Sequence, residues 1–127
     1  MTGMVLIVDD VPANIQVLHA AIGGLATTRF ATSGAQALTV AAREPPDLVL
    51  HDVVMPGLDG FEVCRRLKAD PATAAALVVL VSGSGDDETI ERGLDAGADD
   101  FLVKPAPPAL IRRRVELMLE LAARRRA

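Results

Sequence analysis

Four short apolar runs in this chain each end on a residue capable of chemistry. Asp9-Asp10 follows Met4–Val8, Asp52 closes Asp47–Asp52, Ser82 follows Leu77–Val81 and Lys104 follows Asp100–Val103. Carboxylates gathered in one place repel one another, and such a cluster either protonates or binds a cation. All-oxygen donors in a small cleft favour Mg2+, which keeps several waters and takes one or two carboxylates; Mn2+ or Ca2+ could substitute. A lysine ammonium and a serine hydroxyl opposite that cation suit the oxygens of a phosphoryl group. The set therefore has the makings of a phosphoryl-transfer centre, in which positioning and charge neutralisation do most of the work. Singly, each residue has a plainer reading. An aspartate after a strand caps a helix, Lys104 is a surface charge, and Ser82 is a turn residue before Gly83. Convergence is what separates the two readings.

The intervening elements decide whether they converge. Met4–Val8 is a continuous apolar run rich in β-branched residues and reads as a buried strand. Pro12 suits a first helical turn, Ile15, Leu18, His19 and Ile22 recur at helical spacing, and Gly23-Gly24 stops that helix. Thr28–Thr32 is a weaker strand, and Ser33 with Gln36 forms a capping box opening a helix from about Gly34 to Arg43. A strand over Asp47–Asp52, a loop over Val53–Leu58 and a helix capped by Asp59 and running to about Ala69 follow. The strand Leu77–Val81, the loop Ser82–Gly85 and a helix opened by Asp86, Asp87 and Glu88 and ended by Gly97 come next, the acids favoured by the helix dipole. Asp100–Val103 is a fifth strand, and a last helix starts near Pro107.

Strand alternating with helix predicts an α/β fold: a doubly wound, five-stranded parallel sheet with helices on both faces. Right-handed crossovers leave few topologies, of which the commonest is the flavodoxin-like order 2-1-3-4-5. In that order strands one, three, four and five are contiguous. Their carboxyl ends carry Asp9, Asp10, Asp52, Ser82 and Lys104, and the chemically empty strand two falls at the outer edge.

Composition agrees. Half of the 127 residues are apolar, with three Phe and neither Trp nor Tyr, so the core is built from Val, Leu, Ile and Ala; this bias suits a parallel sheet. The length fits one domain over 1–127. A formal net charge of −4 argues against nucleic acid as a partner of the domain as a whole. The single cysteine, Cys64, precludes an internal disulfide and points to a reducing, cytoplasmic setting. Met4–Val8 is too short for a signal peptide, and no apolar run reaches the ~18 residues of a membrane span. Arg112, Arg113, Arg114, Arg124, Arg125 and Arg126 crowd the last helix, as a solvated face or as a docking or membrane-surface patch. On that helix Ile111, Val115, Met118 and Ala122 form one apolar stripe, and Leu110, Leu117 and Leu121 a second, flanked by Arg113, Arg114 and Arg124. The second stripe predicts a contact surface, for a second copy or for an output module.

Four motifs together, VDD at 8–10, DVVMPGLDG at 52–60, VSG at 81–83 and GADDFLVKP at 97–105, resemble the receiver domain of bacterial response regulators over essentially the whole chain. The resemblance implies that Asp52 accepts a phosphoryl group from a phosphohistidine of a sensor histidine kinase or phosphotransfer protein. It implies Asp10 as a direct metal ligand, Asp9 acting through water, and the Val54 main-chain carbonyl completing the protein ligands. Lys104 would contact the phosphoryl group, Ser82 would bond one of its oxygens after activation, and Phe101 would turn inward to report that state. A cis Lys104–Pro105 peptide is implied too. So is a remodelled surface of helix four, strand five and helix five, which docks a homodimer mate or an output module, the acids Glu88, Glu91 and Asp95 pairing with the arginines of the last helix. Such a domain promotes only its own phosphorylation and dephosphorylation.

Several positions depart from the commonest pattern. His51 stands before the acceptor where an aliphatic residue is usual; strand alternation points it away from the Asp52 side chain, which favours a buried or half-buried neutral imidazole over a pH sensor. Gly83 and Gly85 make the switch loop permissive, Phe101 lacks the usual hydroxyl, and apolar Val54 sits where it could slow hydrolytic water. Cys64 reads as core. Two rival readings remain. A phosphatase of the haloacid-dehalogenase type would carry Asp-x-Asp after its first strand and a cap insertion, whereas Asp9 and Asp10 are adjacent and no such insertion exists. A non-phosphorylated scaffold of the same fold would not need every reactive position filled. The segment 10–14 and the basic last helix look like receivers preceding a diguanylate cyclase or kinase module; a stand-alone chain is equally admissible.

Overall fold

The computed structural model describes residues 3–126. Strands β1 (Met4–Val8), β2 (Thr27–Ala31), β3 (Leu48–Asp52), β4 (Leu77–Ser82) and β5 (Asp100–Val103) alternate with helices α1 (Pro12–Ile22), α2 (Gly34–Arg43), α3 (Gly60–Ala69), α4 (Asp87–Asp95) and α5 (Pro108–Arg126). The sheet is parallel throughout, in the order β2-β1-β3-β4-β5. The expected topology is therefore the observed one. β1, β3 and β4 are buried along their whole length, because helices cover both faces of the central strands.

Side chains divide between two cores by strand parity. Leu6, Val8, Val49, Val53, Val78 and Leu80 pack with α2 and α3 on one face, and Cys64 lies in that core. Val5, Ile7, Leu48, Leu50, Val79 and Val81 pack with α1 and α5 on the other.

Two helices begin on the anticipated caps, Ser33 and Asp59, and a third on Asp86, which the sequence offered only as charge favoured by the helix dipole. Ser33 Oγ accepts from the Gln36 amide at 3.1 Å, Asp59 Oδ1 from the Glu62 amide at 2.9 Å, and Asp86 Oδ1 from the Thr89 amide at 2.8 Å. The Gln36 side chain returns to the amide of Thr32, at 2.7 Å, and not to that of Ser33 as a strict capping box requires. Boundaries shift by one residue in places. β2 begins at Thr27 because its register starts at Met4↔Thr27, and β3 begins at Leu48. α5 starts at Pro108, with the Pro107 carbonyl accepting from the amides of Leu110 and Ile111. Gly23–Leu25 is a 3-10 turn where a plain stop was expected, and Gly23 adopts φ 59°.

On α5, Ile111, Val115 and Ala122 are buried and Met118 is partly buried, while Leu110, Leu117 and Leu121 are each about 40% exposed. Both expected stripes are present. Arg113 and Arg124 are exposed, but Arg114 is engaged within the chain, its Nη1 2.8 Å from Asp100 Oδ2. Arg112 likewise donates to the Ile22 carbonyl at 2.8 Å, tying α5 to the end of α1. The Arg126 side chain lies outside the described residues. Among the described residues, no helix is long and apolar enough to cross a membrane.

Candidate functional site

Each strand delivers its terminal residue to the same edge of the sheet, because parallel strands all end there. Asp9, Asp10 and Asp52 each offer a carboxylate oxygen, and these atoms lie within 4.8 Å of one another. The three differ in setting. Asp9 is buried, and its Oδ1 accepts from the Val11 amide at 2.9 Å, which fixes its rotamer at the entrance to α1. Asp52 is buried at the end of β3, and Asp10 is exposed.

Lys104 enters from β5. Its Nζ stands 2.9 Å from Asp52 Oδ1 and 3.7 Å from Asp9 Oδ2. The Asp52 carboxyl is held above the ordinary carboxylate range. Burial is the largest cause, the bond to Lys104 and its charge act against it, and the charges of Asp9 and Asp10 add to it. A carboxylate that is costly to ionise among two others calls for a further cation, and the oxygen-only donor set suits Mg2+.

Ser82 closes β4, buried, and its Oγ accepts from the Ser84 amide at 3.0 Å. Ser84 Oγ in turn donates to Asp86 Oδ2 at 2.9 Å, the same aspartate that caps α4. A chain of hydrogen bonds thus runs from the sheet edge to the first turn of α4. Reading the loop only as glycine-rich passed over Ser84, which sits two residues before a capping aspartate as its only signal.

Phe101 is partly buried, on the α4 side of β5. A Cβ on Gly93 would meet its ring at 3.2 Å and Leu80 at 3.2 Å, so it is the missing side chain of Gly93 that lets α4 lie against this ring. Val54 projects into solvent, its residue 77% exposed, from the loop between β3 and α3. The Lys104–Pro105 peptide is cis, as the resemblance implied.

His51 is buried and neutral. Its ring takes the opposite face to the Asp52 side chain, as alternation requires, and Nδ1 lies 2.6 Å from the Asp52 main-chain oxygen. Burial pushes its pKa down, outweighing that hydrogen bond and the charges of Asp59 and Asp9. Cys64 is fully buried and its thiol is pushed up to about 11 by burial.

A doubly wound sheet of this order, with an acidic cleft and one lysine at its carboxyl edge, defines a flavodoxin-like domain with a site suited to a cation and a phosphoryl group. The chain belongs to the response regulator receiver domain family, whose model matches residues 5–116. Response regulator PleD of Caulobacter vibrioides is 44% identical over 117 residues, covering 91% of this chain and 26% of PleD. The DNA-binding response regulator MtrA of Mycolicibacterium smegmatis is 36% identical over 120 residues, covering 94% of this chain and 51% of MtrA. The chain thus spans about a quarter to a half of the length of these relatives. Among solved structures, the BeF3-activated DrrB receiver domain matches with a TM-score of 0.87 at 29% identity, covering 94% of this chain and 99% of that one. Response regulator DrrB of Thermotoga maritima matches with a TM-score of 0.86 at 29% identity, covering 95% and 54%. As a receiver domain, the chain is a regulatory component of two-component signalling, switched by phosphorylation of an aspartate.

Proposed function

We propose that Asp52 is that aspartate, and that it takes its phosphoryl group from a phosphohistidine of a sensor histidine kinase or phosphotransfer protein. The observation that carries this reading is the placement of Asp52 between two further carboxylates and the Lys104 ammonium. An Asp52 carboxylate oxygen attacks phosphorus, the phosphorus–nitrogen bond breaks, and the imidazole nitrogen leaves with the electron pair. The product is an acyl phosphate on Asp52, later hydrolysed by water. Lys104, already beside Asp52, neutralises the incoming oxygens.

Asp9, Asp10, Asp52 and the Val54 carbonyl would hold Mg2+, which offsets negative charge on the carboxylates and on the transferring phosphoryl oxygens. Asp10 would be the direct ligand and Asp9, whose Oδ1 is bonded to the Val11 amide, would act largely through water. An apolar cleft of about 400 Å3 lined by Val17, Leu18 and Ile111 opens beside Asp9 and Lys104, and supports docking of the donor next to the acceptor.

The added charge of roughly −1.5 to −2 draws the Ser82 hydroxyl inward to a phosphoryl oxygen. Ser82 accepts from the Ser84 amide and keeps its own hydrogen to donate. Phe101 then turns into the space Ser82 leaves, and the surface of α4, β5 and α5 is biased toward its docking form. That surface engages a second copy or an output module, to which α5 contributes its exposed Leu110, Leu117 and Leu121.

The direct test is intact mass after incubation with acetyl phosphate and Mg2+. The protein should gain one hydroxylamine-labile phosphoryl group, and Asp52→Ala should gain none. A shift that persists in Asp52→Ala overturns the assignment. Sustained turnover of p-nitrophenyl phosphate would instead favour the phosphatase reading.

A further inference from the structure

We propose that His51 is a positioning residue for the acceptor loop, its Nδ1–H holding the main-chain carbonyl of Asp52. The inference rests on the reading of Asp52 as acceptor and of the Val54 carbonyl as a metal ligand. The ladder between β1 and β3 extends only to Val8↔His51. The Asp52 carbonyl lies one residue beyond that register and accepts from the imidazole at 2.6 Å.

The other end of the same peptide is also held. The Val53 amide donates to the Val81 carbonyl at 3.0 Å, and the Gly60 amide donates to the Val53 carbonyl at 3.0 Å. A Cβ on Gly60 would meet the Asp52 carbonyl oxygen at 2.6 Å, so α3 begins directly against this peptide. The peptide plane after Asp52 sets the direction of the chain into Val53 and Val54, and hence the aim of the Val54 carbonyl relative to the Asp52 carboxylate.

The ring's protonation follows from its partner. A carbonyl only accepts, so the nitrogen facing it carries the hydrogen, and His51 is the Nδ1–H tautomer. Nε2 is then a bare lone pair, and among the described residues it is the one buried side-chain N or O atom without a hydrogen-bond partner. Burying an unpartnered polar atom costs stability. A leucine would fill comparable space without that cost, so packing alone does not account for an imidazole here. The one polar bond this side chain makes is to the acceptor's own main chain.

The test uses the whole chain as wild type, His51→Leu, His51→Asn and His51→Gln. Four measurements are made: nitrogen-15 shifts of the ring, hydrogen exchange at the Val53 amide, Mg2+ titration and phosphorylation by acetyl phosphate. An asparagine amide reaches the Nδ1 position, whereas glutamine reaches toward Nε2. The wild-type ring should be protonated at Nδ1. His51→Leu removes the bare Nε2 but also takes the donor from the Asp52 carbonyl, so its thermal midpoint should change little. Yet it should exchange Val53 faster and lose roughly three- to tenfold in Mg2+ affinity and phosphorylation rate, the scale of one lost hydrogen bond. His51→Asn should recover much of that loss and His51→Gln should not. Should His51→Leu fail to fold, the contrast between Asn and Gln decides. An Nε2–H tautomer, wild-type behaviour of His51→Leu in Val53 exchange and Mg2+ affinity, or equal behaviour of Asn and Gln overturns the proposal. A wild type that accepts no phosphoryl group strikes at the reading of Asp52 instead, while ring tautomer and Val53 exchange still report on this hydrogen bond.

Discussion

One ammonium serves two carboxylates at the sheet edge: Lys104 Nζ lies 2.9 Å from Asp52 Oδ1 and 3.7 Å from Asp9 Oδ2. The folded state raises the Asp52 pKa through burial even with this lysine in place. A raised carboxyl contributes stability that is fully present below its unfolded value and is lost as pH rises through the folded one. Lys104→Met removes the main opposing influence, so the loss deepens. In metal-free buffer the variant should be less stable at pH 7 by about 1 kcal/mol, a low figure because Lys104 is one-third exposed. The gap should narrow as pH falls through the raised range of this carboxyl and be nearly closed by about pH 4. Urea unfolding at the two pH values checks this, and an equal gap at both refutes it.

Asp10 is the exposed member of the cluster, so its charge would serve ion binding without supporting the core. Asp10→Asn should leave the unfolding midpoint of the metal-free domain nearly unchanged and remove the stabilisation that added Mg2+ produces. Mg2+ affinity equal to wild type would mean the ligand set is misassigned.

Gly60 tests how tightly the acceptor loop is packed. A Cβ there would lie 2.6 Å from the Asp52 carbonyl oxygen and 3.0 Å from Val53 Cα, both main-chain atoms, so the backbone must move. Gly60→Ala should cost about 1–3 kcal/mol, as overpacking does. Gly24→Ala, where nothing lies within 4 Å, is the matched control and should be near neutral. Similar denaturation midpoints for the two variants would contradict the packing described.

Cys64 should be inert in the folded protein. It is fully buried and its thiol is raised to about 11, so the reactive thiolate is both scarce and inaccessible at neutral pH. Reaction with a disulfide reagent should follow the unfolding rate and become immediate in denaturant. Rapid labelling under native conditions would show this core to be open.

The exposed leucines of α5 carry the docking proposal. Leu117 and Leu121 are 41% and 42% exposed, beside exposed Arg113 and Arg124. With a phosphoryl analogue and Mg2+, wild type should sediment as a dimer and Leu117→Glu/Leu121→Glu as a monomer with an unchanged unfolding midpoint. A strictly monomeric wild type under those conditions removes the self-association version and leaves docking to an output module.

Strand and helix order, the two apolar stripes of α5 and the residues at each strand end were legible in the sequence, because burial imposes a period and parallel strands share one edge. The boundaries of β2 and α5 were not, since pairing register and the first helical hydrogen bonds select between adjacent residues of similar propensity. Arg114 looked like surface charge, yet folding brings it to Asp100, fourteen positions back in the sequence. His51 shows the division most clearly. Alternation of side chains along a strand is local and predicted its burial and its turn away from the Asp52 carboxylate. Its bond to the Asp52 carbonyl arises because β1 stops pairing with β3 at Val8↔His51, leaving that carbonyl without a strand neighbour there. Where a ladder ends depends on how two strands distant in sequence are cut to length and twisted, and only the assembled sheet decides it.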